Sequence, residues 1–176
     1  IMYSDEQTDP LYPAENALEY QHINNALYIK LDRNRNVDEL FWVKITYGGD
    51  AGKDRGFFAG ITHKRDSDYG FDVTYTLSEP HNARDWFPVK QVLEDKIDSV
   101  RFSLQCDRDL MAASNGVLVE LKEGSRNTHV FTWLTTYPMA YYLLSFAVAD
   151  YRDFSFMAAL SGDPSPGTRR RVPSGT

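Results

Sequence analysis

The chain has 176 residues, 42% apolar and 14% aromatic, with a formal charge of −6 spread over interspersed acids and bases. That is enough for one domain with a real core. It lacks the clustered positive charge that a phosphate backbone requires, so no nucleic-acid partner is expected. No apolar run reaches the ~18 residues of a membrane span; the longest candidate, Tyr137 to Ala149, is short and interrupted by Pro138 and Ser145.

The opening Ile1-Met2-Tyr3 shows neither a basic nor an apolar leader region, and it equally suits a chain that continues upstream. Met2 to Asn16 is polar and turn-rich. From there the dominant period is two, the signature of strands. Leu27, Ile29 and Leu31 alternate with polar neighbours, as do Phe41, Val43, Ile45 and Tyr47 before Gly48-Gly49. A short apolar stretch covers Phe57 to Thr62. Phe71, Val73, Tyr75 and Leu77 alternate strictly with Asp72, Thr74, Thr76 and Ser78.

Pro88 to Ser99 predicts a turn or two of helix, since Val89, Val92, Leu93, Lys96 and Ile97 share one face after a proline start. Strands are predicted at Val100 to Cys106, Val117 to Leu121 and Val130 to Leu134. The last two are joined as a hairpin through Glu123-Gly124-Ser125-Arg126-Asn127. Tyr141 to Val148 reads as a buried strand, with a helix left open by length alone, and Phe154 to Met157 adds another candidate. Eight or so short strands predict an all-β fold of saddle- or sandwich-like sheets over residues 1–160. Residues 161–176, with Arg169-Arg170-Arg171, have linker composition.

Recognisable chemistry is sparse. Cys106 is the single cysteine, so no internal disulfide can form, and its place on the apolar side of a strand predicts an inert thiol. His22, His63, His81 and His129 are scattered, and no Cys/His spacing suits zinc. There is no G-x-S-x-G elbow. Gly48-Gly49-Asp50-Ala51-Gly52 lacks the Lys-Ser/Thr and the helix of a phosphate loop, and reads as a hairpin turn. One position is unusual. Continuing the parity of Phe71 to Leu77 puts Glu79 on the apolar side, where Pro80 stops the strand. An acid there either meets a cation, with Arg84 the structural candidate, or lines a cavity and receives a ligand's charge.

Ser78-Glu79-Pro80 through Ala83-Arg84-Asp85-Trp86-Phe87-Pro88 with Lys90-Gln91, then Ser114-Asn115-Gly116-Val117-Leu118, then Tyr137 to Tyr151, follow one another in register. Together they resemble the N-terminal β domain of the gluzincin zinc aminopeptidases, the aminopeptidase N and leukotriene-hydrolase group, and most of all its bacterial members. The likeness covers roughly Ala26 to Phe156.

The resemblance implies a catalytic domain beyond this chain, as partner, holding the zinc cofactor. Neither an H-E-x-x-H helix nor a G-x-M-E-N strand occurs here, so the chain alone is expected to be inactive. It also implies that Glu79, five residues before Arg84, is the acid that contacts a substrate's free α-amino group, with Arg84 orienting it. A zinc-bound water would do the chemistry elsewhere.

The family carries further strands before Ala26 to Leu31. Their loss would leave exposed sheet edges and favour self-association. An exported or periplasmic location follows by likeness, with the cytoplasm left open. A second reading is a free-standing β-sandwich module for a glycan or protein ligand, displaying Trp42, Trp86 and Trp133; a third is a scaffold without ligand.

Overall fold

The computed structural model describes residues 18–49, 60–152, 155–158 and 170–173, the last two segments as backbone. Residues 2–16, 57–59 and 154 and most of the stretch read as linker lie outside the described residues, as does 50–52 of the expected Gly-rich turn. The architecture is all-β and antiparallel, with two single-turn 3-10 segments at Ala83–Asp85 and Tyr141–Leu143. The chain divides into two compact units, Ile1–Asp50 and Ala51–Thr176.

In the first unit, β1 (Tyr20–Ile23) and β2 (Ala26–Ile29) form a hairpin in which Ile23 faces Ala26. Asn24 and Asn25 link them with φ of 51° and 61°. Two consecutive left-handed residues match the twist of the strands, and asparagine tolerates that region.

Phe41 to Tyr47, expected as a strand, is not one, and Trp42 is 79% exposed. Alternation makes a segment compatible with a sheet, but a strand forms only where a neighbouring edge takes its hydrogen bonds. Just before this stretch, Glu39 ties the chain together. Its carboxylate accepts from Arg33, Arg35 and the Asn36 backbone N–H, and Arg35 lies 5.5 Å from the centre of the Phe41 ring.

The second unit contains two larger sheets. Strands β3 (Gly60–Arg65), β4 (Asp72–Leu77), β9 (Phe146–Ala149) and β6 (Met111–Ser114) pair in the order β3-β4-β9-β6. Strands β5 (Val100–Asp107), β8 (Thr128–Thr135) and β7 (Val117–Glu123) pair as β5-β8-β7. Trp86 joins the two sheets: its ring stacks on Phe102 of β5 at 6.5 Å and meets Phe146 of β9 edge-on at 5.5 Å. The Trp133 N–H of β8 donates to the Ala112 carbonyl of β6 at 3.0 Å. These contacts tie the sheets into a sandwich-like core with Ala83, Ala112, Phe131, Tyr141, Leu144 and Ala149 buried in it.

Most of the expected strands are present. β5 half-buries alternate residues as its pattern requires. The expected hairpin joins β7 to β8, with Arg126 and Asn127 in the left-handed region.

Besides Phe41 to Tyr47, three segments differ from the sequence reading. Pro88 to Ser99 forms no helix. Its Val92 and Leu93 stay exposed, and so short a helix needs a buried face to form; the segment is held by reciprocal backbone bonds between Ile97 and Met139. Tyr141 to Val148 is a 3-10 turn followed by β9. Met111–Ser114 forms a strand that its small residues did not announce. Finally, β10 (Ser155–Ala158) pairs with β11 (Arg170–Pro173), which lies within the stretch of linker composition.

Candidate functional site

The site is the turn that carries Glu79, and it follows directly from the end of β4. Thr76 and Ser78, polar by composition, are the buried positions there, Ser78 with 2% exposure. Their hydroxyls explain the inversion. Thr76 Oγ1 accepts from the Phe146 N–H at 3.0 Å, and Ser78 Oγ accepts from the Trp86 indole N–H at 2.8 Å. A hydroxyl that finds a partner can occupy the core side of a strand at little cost.

Glu79, one residue on, is therefore exposed and not at core parity. This corrects the expectation of a buried carboxylate. Neither does it pair with Arg84: the two make no ion pair, and Arg84 is exposed as well. Among the described residues no hydrogen bond or ion pair engages the Glu79 carboxylate.

The backbone around Glu79 is held on both sides. Before it, Ser78 is fixed by Trp86. After it, beyond a cis bond to Pro80, the Pro80 carbonyl accepts the Tyr141 hydroxyl at 2.8 Å. The Ser78 carbonyl also accepts the Asn82 N–H at 3.1 Å, closing the turn. The 3-10 segment Ala83–Asp85 follows, its Arg84 N–H donating to Gln91 Oε1 at 3.2 Å.

Gly60 lets this segment sit against β3. A Cβ there would lie 2.6 Å from the Asn82 carbonyl oxygen and 2.8 Å from the Asp85 Cβ. Tyr141, Ser78 and Gln91 were not singled out as supports of the site, because nothing in the sequence says which hydroxyl or amide will reach a distant backbone.

The three segments behind the sequence resemblance meet here. Tyr141 links the third to the first. Asn115 links the second to the third, donating to the Leu143 carbonyl at 3.0 Å and accepting the Ser145 N–H at 2.7 Å. Gly116, at φ +91°, lies so close to β8 that a Cβ would meet the Leu134 carbonyl oxygen at 2.1 Å.

The remaining candidates offer less chemistry. His22, His63 and His81 are exposed, with His63 Nδ1 2.8 Å from Thr74 Oγ1, and His129 meets Phe131 edge-on. Burial, helped by neighbouring Asp107, raises the Cys106 thiol above its ordinary pKa, so it favours the protonated form. Among the described residues no three His, Cys, Asp or Glu side chains are grouped to hold a metal ion, so they do not fit a zinc site and no step of chemistry passes through zinc here. No helix among them is long and apolar enough to cross a membrane.

No protein-family model matches the chain, and no curated protein does. Among solved structures it is similar to M1 zinc metallopeptidases. The crystal structure of one from Deinococcus radiodurans shares 24% identity, covering 56% of this chain and 22% of that one, at a TM-score of 0.44. A mutant of the enzyme from the same organism, bound to a Tyr-Ser-Ala substrate, matches at 24% identity over 59% of this chain and 24% of its own, TM-score 0.45. A two-domain M1 zinc metallopeptidase bound to L-tryptophan matches at 23% identity over 57% and 22%, TM-score 0.44. The chain spans less than a quarter of the length of these enzymes.

Proposed function

We propose that this chain is a non-catalytic β domain of a zinc metallo-aminopeptidase, and that Glu79 receives the free α-ammonium of a peptide substrate. The observation that carries the reading is an exposed carboxylate on a turn whose backbone is pinned on both sides, by Trp86 through Ser78 and by Tyr141 through Pro80. An ammonium reaching Glu79 gains a charge-assisted hydrogen bond without breaking one within the described structure. A blocked N-terminus brings no such charge, so the contact favours exopeptidase substrates. Arg84, exposed and unpaired with Glu79, is free to orient a substrate's other polar groups. Catalysis belongs to a zinc domain outside this chain.

The test titrates this chain with alanyl-alanine amide and with its N-acetyl counterpart while the Glu79 side-chain resonances are followed by NMR. Shifts confined to the free amine, and lost in Glu79→Gln, are expected; equal response to both peptides would sink the amine role. The chain with added zinc is expected to leave aminoacyl-p-nitroanilides intact, and turnover would contradict the non-catalytic assignment. The rival reading as a glycan-binding sandwich loses two of its three tryptophans, since Trp86 and Trp133 commit their N–H groups to Ser78 and Ala112, and keeps the exposed Trp42.

A further inference from the structure

We infer that the free edge of β7 is the seam of a homodimer, in which β7 pairs antiparallel with β7 of a second copy about a two-fold axis at Leu121. Among the described residues β7 is the edge of the β5-β8-β7 sheet, and all seven of its residues are exposed. Four of them are large and apolar: Val117 (64% exposed), Leu118, Val119 and Leu121 (53%). The opposite edge strand, β5, instead half-buries every second residue. An exposed apolar edge is a template for another strand. A bulge between Leu118 and Glu120 interrupts the first part of β7, leaving Glu120 to Glu123 in regular register with β8.

The charges on that regular stretch select the occupant. Leu121 stands opposite Phe131 on the core side of the sheet, whereas Glu120 and Lys122 stand opposite Thr132 and Val130 on the other side. A two-fold axis normal to the sheet keeps each face continuous, so it must set one residue opposite its own copy. With Glu120 on the axis two carboxylates meet, and with Lys122 two ammonium groups meet. With Leu121 on the axis, leucine meets leucine, and Glu120 of each copy faces Lys122 of the other.

The strand is thus self-complementary in one register, and the two sheets become one of six strands. With the axis at Leu121, Val119 to Glu123 of each copy overlap, and a five-residue seam ~17 Å long is a smaller interface than the ~800 Å² per partner of stable complexes, so the dimer is weak and reversible. The seam is independent of the amine-binding reading, since β7 contributes none of the side chains that brace Glu79.

Sedimentation velocity of the full chain from about 1 µM to about 1 mM tests it. A monomer–dimer equilibrium is expected. Glu120→Lys and Lys122→Glu, both at exposed positions, each replace two opposite-charge pairs by two like-charge pairs and should weaken the dimer roughly tenfold. An equimolar mixture of the two variants recreates both attractive pairs and should recover association. A monomer throughout overturns the seam and leaves the edge to another kind of partner. So does a dimer indifferent to both substitutions, or a mixture no tighter than either variant alone.

Discussion

The Tyr141 hydroxyl donates to the Pro80 carbonyl at 2.8 Å, joining positions 61 residues apart in the sequence and fixing the far side of the turn that carries Glu79. Tyr141 is almost wholly buried, but Pro80 is exposed, so the carbonyl can turn to water if the hydroxyl is lost. Tyr141→Phe should therefore cost only about 0.5–1.5 kcal/mol, read as a lower urea midpoint at unchanged slope. The same variant should broaden the NMR resonances of Glu79 and His81. A turn as well ordered as before would remove Tyr141 from its role as a brace.

Ser78→Ala presents the opposite case. The Trp86 indole N–H would lose its acceptor among packed rings, with Phe87 centred 4.3 Å away and Phe102 and Phe146 beyond. An unsatisfied buried donor costs about 1–3 kcal/mol, so the expected loss of stability in urea exceeds that of Tyr141→Phe. A neutral result would mean that water reaches the indole.

Gly116 and Gly70 separate crowding from backbone strain. Both have positive φ, but an added Cβ at Gly116 meets the backbone of Leu134 and Thr135, whereas at Gly70 the nearest atom is the end of the Arg65 side chain at 4.0 Å. Gly70→Ala should cost about 1–2 kcal/mol, the ordinary penalty of a left-handed side chain. Gly116→Ala should cost several times more or prevent folding, because β8 must move. Thermal unfolding of the pair decides it, and equal losses would refute the close approach.

Glu39 predicts an acid transition. Hydrogen bonds from Arg33, then from the Asn36 N–H and Arg35, hold its carboxyl down at about 2 from an ordinary value of 4.5. The folded form thus binds this proton less readily than the unfolded chain does. The stability it supplies is complete above pH ~4.5 and is lost as the pH falls toward ~2. A carboxyl carbon titration should place the Glu39 midpoint near the bottom of that window. Glu39→Gln should flatten this part of the acid dependence, and a midpoint above 4 would break the assignment.

Much of the second unit was legible because its strands have one wet and one dry side. Val100 to Asp107 alternates in sequence and in burial alike. The reading failed where hydropathy and burial part company. Thr76 and Ser78 count as polar yet face inward, since Phe146 and Trp86 supply their hydrogen bonds from 70 and 8 residues away. Counting in twos from Phe71 therefore put Glu79 on the wrong side. Phe41 to Tyr47 has the right alternation without a strand beside it among the described residues, and Met111–Ser114 has the neighbour, β9, without the residue types. Edges and distant hydroxyls are properties of the assembled fold, which no local window contains.

The brace at Glu79 acts entirely through the main chain and through the residues on either side of it. No described contact depends on what the side chain at this position is. A glutamine, an asparagine or a serine there would leave the Trp86 and Tyr141 anchors intact, so the fold places almost no constraint on the identity of this residue. Natural or laboratory variation can change the side chain presented here without first rebuilding the scaffold.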